Sequence, residues 1–246
     1  MSSAKAIPRE ERLIFALDVP TVAQAQALVE RLGDSIHVYK IGLELLTSGQ
    51  YFELLDWLRG RGHQVFCDLK FFDVPATVGA AVAGLARRGA TFATVHGNQA
   101  IMEAAVANKG ALKILAVTAL TSLDRGDLDD LGFTVDVEKL VLSRARRALE
   151  AGCDGVVSSG LEAPMLREFI DQRLLVVAPG IRPVENKPVD DQKRTVDVAQ
   201  AFRNGADYIV VGRPIRDAAD PRAAAQAIQQ TIAGVFATAS TRQKSA

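Results

Sequence analysis

Residues 65–95 read VFCDLKFFDVPATVGAAVAGLARRGATFATV, and this stretch contains one complete strand–helix–strand unit. The short apolar run Val65 to Leu69 reads as a strand. Thr77 to Arg88 carries apolar residues at three- and four-residue spacings, the mark of an amphipathic helix. Gly89 follows the helix, where glycine supplies a left-handed cap cheaply, and Thr91 to Val95 begins the next strand. Outward from this unit the pattern repeats. Further strands are expected at Leu13 to Leu17, Ile36 to Ile41, Leu112 to Val117, Gly155 to Val157, Leu174 to Ala178 and Tyr208 to Val211. Between them lie helical stretches at Val22 to Arg31, Gln50 to Arg61, Gln99 to Asn108, Val137 to Ala151, Ala163 to Asp171, Val196 to Asn204 and Arg222 to Phe236. Near-continuous apolar strands suit a parallel sheet covered on both faces, and eight successive βα units favour closure. The fold class is therefore α/β, a single (β/α)8 TIM barrel over residues 1–246, close to the roughly 250 residues such a barrel needs. Short flexible termini are expected at about 1–10 and 238–246.

Composition narrows the function. Lys plus Arg and Asp plus Glu are 29 each, giving a net charge of zero and no footprint for a nucleic acid polymer. The 48% hydrophobic and 24% charged content is that of an ordinary globular chain. Met1 to Glu11 has no apolar leader, and Ala223 to Thr241 is broken by Gln226, Gln229, Gln230 and Thr231, so no membrane span is expected. Cys67 and Cys153 form no metal-type or disulfide pattern, which points to a reducing cytoplasm. Trp57, Tyr39 and both cysteines read as packing residues, and His37 and His63 as surface or loop positions. Longer connections follow the fifth strand, Thr118 to Asp136, and the seventh, Pro179 to Thr195. The second is polar and turn-rich, and reads equally as a mobile lid or as plain loop variation.

The densest chemical signal is Asp68-Leu69-Lys70-Phe71-Phe72-Asp73-Val74-Pro75. Alternation along a strand puts Phe66, Asp68 and Lys70 on one face and Val65, Cys67 and Leu69 on the other. Asp and Lys are rarely buried unless paired, so the charged face is assigned to the barrel mouth, where active sites of this architecture lie. Asp73 alone reads as a cap for the following helix. The other strand ends add Asp18, Lys40, His96, Thr118, Thr121, Ser122, Arg182, Gly212 and Arg213. Each has a structural alternative: Lys40 could extend its stem to water, Asp18 could cap the first helix, and His96 could satisfy a loop carbonyl. Their convergence on one rim favours a site. Pro179-Gly180-Ile181-Arg182-Pro183 and Val211-Gly212-Arg213-Pro214-Ile215 follow strands seven and eight, where such barrels hold phosphate. Glycine lets backbone N–H groups approach an anion, and arginine offers a planar fork of donors. The expected ligand is a small phosphorylated molecule.

These residues resemble the orotidine 5′-phosphate decarboxylase family over nearly the whole chain. The resemblance runs from Phe15-Ala16-Leu17-Asp18 through Tyr39-Lys40-Ile41-Gly42, the Asp68 to Thr77 segment, Val95-His96-Gly97, Leu120-Thr121-Ser122 and Pro179 to Pro183, to Val211-Gly212-Arg213-Pro214. Many bacterial members have His where this chain has Phe72, Asn where it has Ala76 and Ala where it has Gly97. The resemblance implies a decarboxylase of orotidine 5′-monophosphate that uses neither cofactor nor metal, built as a homodimer with shared sites. On it Lys40, Asp68 and Lys70 come from one subunit, and Asp73 with Thr77 from the other. Asp18 and Lys40 would hold the ribose, Thr121 and Ser122 the pyrimidine, and Gln192, Gly212 and Arg213 the phosphate, with Arg182 and Gln192 flanking a closing loop. Lys70 would stabilise and protonate the carbanion at ring carbon 6. The alternatives are a metal-dependent phosphosugar decarboxylase or aldolase of the same suprafamily, whose members usually carry Glu where this chain has Lys40, and a noncatalytic phosphonucleotide-binding barrel.

Overall fold

The computed structural model describes residues 5–123, 125–132, 134–182 and 196–243. Eight strands form one closed barrel in chain order, and every adjacent pair is parallel, β1 with β8 included. The strands are β1 (Leu13–Ala16), β2 (Val38–Ile41), β3 (Gln64–Phe71), β4 (Phe92–His96), β5 (Lys113–Val117), β6 (Gly155–Val157), β7 (Leu175–Ala178) and β8 (Tyr208–Val211). The covering helices run through α1 (Val22–Leu32), α2 (Leu43–Leu46), α3 (Tyr51–Gly60), α4 (Pro75–Arg87), α5 (Gln99–Asn108) and α6 (Arg125–Asp130). They continue with α7 (Val137–Ala151), α8 (Ala163–Phe169), α9 (Val198–Arg203), α10 (Arg213–Arg216) and α11 (Pro221–Gln243). All eight expected strands form, within one or two residues at most ends.

Alternating side chains sort into two separate cores. Ile14, Val38, Phe66, Phe92, Leu115, Val177 and Tyr208 fill the barrel interior. Phe92 anchors that interior, with edge-on ring contacts to Phe66 at 5.9 Å and Tyr208 at 5.3 Å between centroids. Their sequence neighbours, Phe15, Tyr39, Cys67, Ala93 and Val176 among them, face the helices in the larger outer core. Cys67 and Cys153 are buried free thiols, each pushed up to about 12 chiefly by desolvation, so both are inert packing groups. Gly152 closes α7 at φ 84°. Gly155 serves another need: a Cβ there would lie 2.5 Å from the Leu175 side chain and 2.6 Å from its carbonyl, so β6 and β7 can approach only because it has none.

Several local expectations are corrected. The α1 cap is Thr21, whose hydroxyl accepts from the Gln24 N–H at 3.3 Å, so Asp18 is not used there. Val74, not Asp73, stands at the α4 N-cap, and no side chain caps that helix; Pro75 begins it with its φ already set. Short helices α2, α6 and α10 occupy segments read as connections, because four to six residues are too few to show a helical period. The last helix runs on to Gln243 rather than ending at Phe236.

The N-terminal segment, expected to be loose through residue 10, is tied down from Lys5 at the floor of the barrel. The Lys5 ammonium donates to Asp207 Oδ2 at 2.6 Å and to the Leu174 carbonyl at 2.7 Å. The same carboxylate oxygen accepts from Arg167 Nη2 at 2.7 Å and the Val176 N–H at 2.9 Å. Asp207 is buried, so removing it strands two cations and a backbone donor together. Asp207→Ala is expected to lower unfolding stability by about 3–5 kcal/mol, read by urea denaturation; a loss under about 1 kcal/mol would show that the cluster contributes little.

Candidate active site

Three neighbouring strands deliver four charges of alternating sign to the C-terminal mouth of the barrel. Lys40, near the C-terminal end of β2, places Nζ 3.0 Å from Asp18 Oδ1 and 3.5 Å from Asp68 Oδ2. Lys70 Nζ approaches the same Asp68 oxygen at 2.9 Å. The side chains of Lys40 and Asp68 are only 11% and 13% exposed, so their pairing takes place largely out of water. Burial alone would raise the Asp68 pKa, but Lys40 and Lys70, with hydrogen bonds from Lys70 and Thr94, hold it below 3.8. Burial alone would lower Lys40, but Asp68 and Asp18 hold it above 10.5. Lys40 and Asp68 therefore both keep their charge across the neutral range.

The cavity above this array measures about 380 Å³ and is lined by Asp18, Lys40, Asp68, Lys70, Thr121, Arg182, Gly212 and Arg213. That size suits a small ligand. Its floor is apolar, made by Ala16, Phe66, Val117, Val157 and Val210. Beside Asp18, Gly212 leads into α10, which begins at Arg213. Residues at the ends of β1, β2, β3, β5, β7 and β8 thus meet at this cavity, whereas His96 and the buried Thr118, also expected on the rim, do not line it.

Other expected residues do not reach this cavity within the chain. Asp73 and Thr77 are exposed beyond β3 and at the start of α4, and Asp73 Oδ1 accepts from its neighbour, the Val74 N–H, at 2.6 Å. Ser122 is exposed and does not line the cavity. Gln192 lies outside the described residues. Beside Asp73, Phe72 is 65% exposed and Val74 62%, while the Phe72 ring lies 4.7 Å from that of His96. Burial, helped by Arg144 and Lys70, lowers the His96 pKa, leaving the ring neutral at pH 7. A Cβ on Gly97 would meet the Val117 carbonyl at 3.0 Å and the Arg144 stem at 3.1 Å, so Arg144 occupies that space.

Two site residues escaped the sequence reading. Arg216 lines the cavity and donates from Nη1 to the Asp18 carbonyl at 2.7 Å, fixing the loop that carries Asp18. Thr94 is fully buried between Asp68 and Lys70. Its signal was its parity with Phe92 and His96, a hydroxyl on the inward face of a strand beside a buried carboxylate.

Lys40→Met leaves Asp68 with Lys70 as its one ammonium partner and removes the ammonium that pairs with Asp18. The depressed Asp68 pKa contributes stability that is present above about pH 4 and lost as acid protonates the carboxylate. The variant is expected to lose about 3 kcal/mol at pH 7 and distinctly less near pH 3. Urea unfolding at both pH values checks this; an equal deficit at both would assign the loss to packing.

Comparison with known proteins gives the same direction. Residues 11–228 match the family described as Orotidine 5'-phosphate decarboxylase / HUMPS family. The chain is 70% identical over 235 residues to an orotidine 5'-phosphate decarboxylase of Methylococcus capsulatus, covering 96% of this chain and 97% of that one. It is 55% identical to that of Stenotrophomonas maltophilia, over 93% of this chain and 95% of the relative. The solved orotidine 5'-phosphate decarboxylase of Lactobacillus acidophilus superposes with a TM-score of 0.80 at 34% identity, covering 90% of this chain and 99% of that structure. With a family match across the barrel and such relatives along almost its full length, the chain belongs to the orotidine 5′-phosphate decarboxylase / HUMPS family.

Proposed function

We propose that the protein converts orotidine 5′-monophosphate to uridine 5′-monophosphate and carbon dioxide, without cofactor or metal. The observation that carries this reading is the Asp18, Lys40, Asp68, Lys70 chain, with successive contacts of 3.0, 3.5 and 2.9 Å at one end of the cavity. Decarboxylation breaks the bond from ring carbon 6 to the carboxyl group and leaves both electrons on that carbon, in an orbital that cannot spread into the ring. A fixed cation must meet that charge. Lys70 fills this role and then gives its proton to carbon 6, recovering one from solvent after product leaves. Opposite charges about 4 Å apart interact by about 4 kcal/mol at an effective dielectric near 20, so Asp68 keeps the Lys70 ammonium in position before substrate arrives. Such preorganisation needs no reorientation during the reaction. Asp68 also faces the substrate carboxylate, and repulsion relieved on loss of carbon dioxide is a secondary contribution.

The remaining roles follow from position. Asp18 and Lys40 hold ribose hydroxyls, and Thr121 with Ser122 the pyrimidine. Arg213 and the Gly212 backbone at the start of α10 take the phosphate, with Gln192 and Arg182 from the loop after β7. Asp73 and Thr77 reach the site of a second copy in a homodimer. The exposed Phe72 and Val74 beside them support this, since apolar side chains next to a charged site are better covered than wet. The reaction is placed in the cytoplasm, in keeping with two unpaired buried thiols; among the described residues no helix is long and apolar enough to cross a membrane. A metal-dependent relative's chemistry fits poorly here, because Lys40 already puts a fixed cation between Asp18 and Asp68.

Purified protein is expected to remove the ultraviolet absorbance of orotidine monophosphate at the same rate with and without chelator. Lys70→Ala should lower kcat by at least about 10³-fold while retaining uridine monophosphate binding. Inhibition by chelator, or near-normal turnover by Lys70→Ala, would overturn the mechanism. For the shared site, Lys70→Ala and Asp73→Asn are each expected to be nearly inactive alone, yet to regain turnover when mixed as heterodimers, because one composite site is then intact. Verified heterodimers with no recovery would return Asp73 to its own subunit or to a structural role.

A further inference from the structure

Strand β3 departs from regular pairing where the chemistry lies. Cys67 pairs with Ala93 and Phe71 with Val95, so three residues of β3, Asp68, Leu69 and Lys70, stand opposite one residue of β4, Thr94. The surplus is taken up by a bulge, and Lys70 adopts φ 49°, the one non-glycine residue with positive φ among those described. Lys70 at such a φ must have its N–H satisfied away from the regular ladder. The Thr94 hydroxyl does this, accepting from the Lys70 N–H at 2.9 Å and donating to Asp68 Oδ1 at 2.9 Å. Thr94 has no exposed surface, so water cannot substitute for it.

We infer that Thr94 is the positioning residue of the site: its one hydroxyl fixes both the strained backbone that aims Lys70 and the carboxylate rotamer of Asp68 that Lys70 leans on. The hydroxyl leaves Asp68 Oδ2, the other oxygen, to Lys40 and Lys70. Thr94 therefore divides the carboxylate, one oxygen for the scaffold and one for the two ammoniums. It touches no reacting atom in this role and acts through Asp68 and Lys70. The inference deepens the proposed decarboxylase function and rests on it only for the kinetic readout.

Thr94→Val keeps the shape and deletes the hydroxyl, whereas Thr94→Ser keeps the hydroxyl. Valine is expected to lower kcat for orotidine monophosphate by about 10- to 100-fold with KM changed less than threefold, and serine to restore most of the loss. The groups facing Asp68 are Lys40 from β2, Lys70 from its own strand and Thr94 from β4, with Asp18 behind Lys40, His96 beside Lys70, and Cys67 and Tyr51 near it among the buried groups. Deleting the hydroxyl removes a donor to the charged form of Asp68, so the acid limb of kcat should move upward by about one pH unit in the valine variant and not in the serine variant. Carbon-13 carboxyl spectra of aspartate-labelled protein follow the same Asp68 titration without turnover. If the wild-type protein leaves the nucleotide untouched, the proposed function fails, and these spectra still decide the role of Thr94. A valine variant with unchanged kcat and unchanged Asp68 titration, or a serine variant as impaired as valine, would overturn the assignment; thermal melting of both variants identifies a general loss of fold.

Discussion

A single carboxylate, Asp68, held between two ammonium groups at the edge of a dry barrel, is the interaction on which the site depends. An aspartate there would protonate if left alone, because desolvation penalises its charge. Lys40 and Lys70 reverse that preference. Lys40 in turn is buried and keeps its charge only through Asp68 and Asp18, so carboxylate and ammonium are conditions for one another. Breaking such a set is costlier than never building it, which makes it a liability for folding and explains why it sits at the mouth, where water still reaches 33% of the Lys70 side chain.

The barrel supplies what the charges need. Its interior is closed below by Phe66, Phe92 and Tyr208, so field lines from the array are not short-circuited by water from beneath. Parallel strands of a closed sheet end at one face, and three adjacent strands can thus present charges within 3.5 Å of each other without any long side chain crossing the lumen. The Lys5, Arg167, Asp207 cluster does a different task at the opposite end. It fastens the N-terminal segment, the base of β7 and the base of β8 to one carboxylate.

Much of this was legible in the sequence because it depends on periodicity. Eight apolar runs separated by amphipathic stretches specify the barrel, and the Asp68, Lys70 spacing with Lys40 and Asp18 at other strand ends specifies the charged rim. What was hidden is local geometry. Alternation alone places Asp68 and Lys70 on one face, and it gives no sign that the ladder slips between Cys67 and Phe71. Thr94 looked like an ordinary β-branched strand residue, since β-branched residues favour strands for reasons unrelated to chemistry. Asp73 was ambiguous for the opposite reason. A carboxylate just before Val74-Pro75 has the composition of a helix cap, and only the Val74 cap geometry removes that reading.

The strain at Lys70 bears on how the site divides stability from function. A non-glycine residue at positive φ costs about 1–3 kcal/mol, and Gly in its place would relieve the backbone while removing the ammonium. Strict β geometry would relieve it too, but would continue the ladder past Cys67 and direct the side chain by simple alternation. The bulge instead lets two residues of one strand, Asp68 and Lys70, meet through their termini at 2.9 Å. The cost of the bent backbone is offset in part by the Thr94 hydrogen bond and in part by the ion pairs themselves. Because those ion pairs join groups of the chain itself, the strain is met during folding and not during each turnover, which is the physical content of a preorganised site.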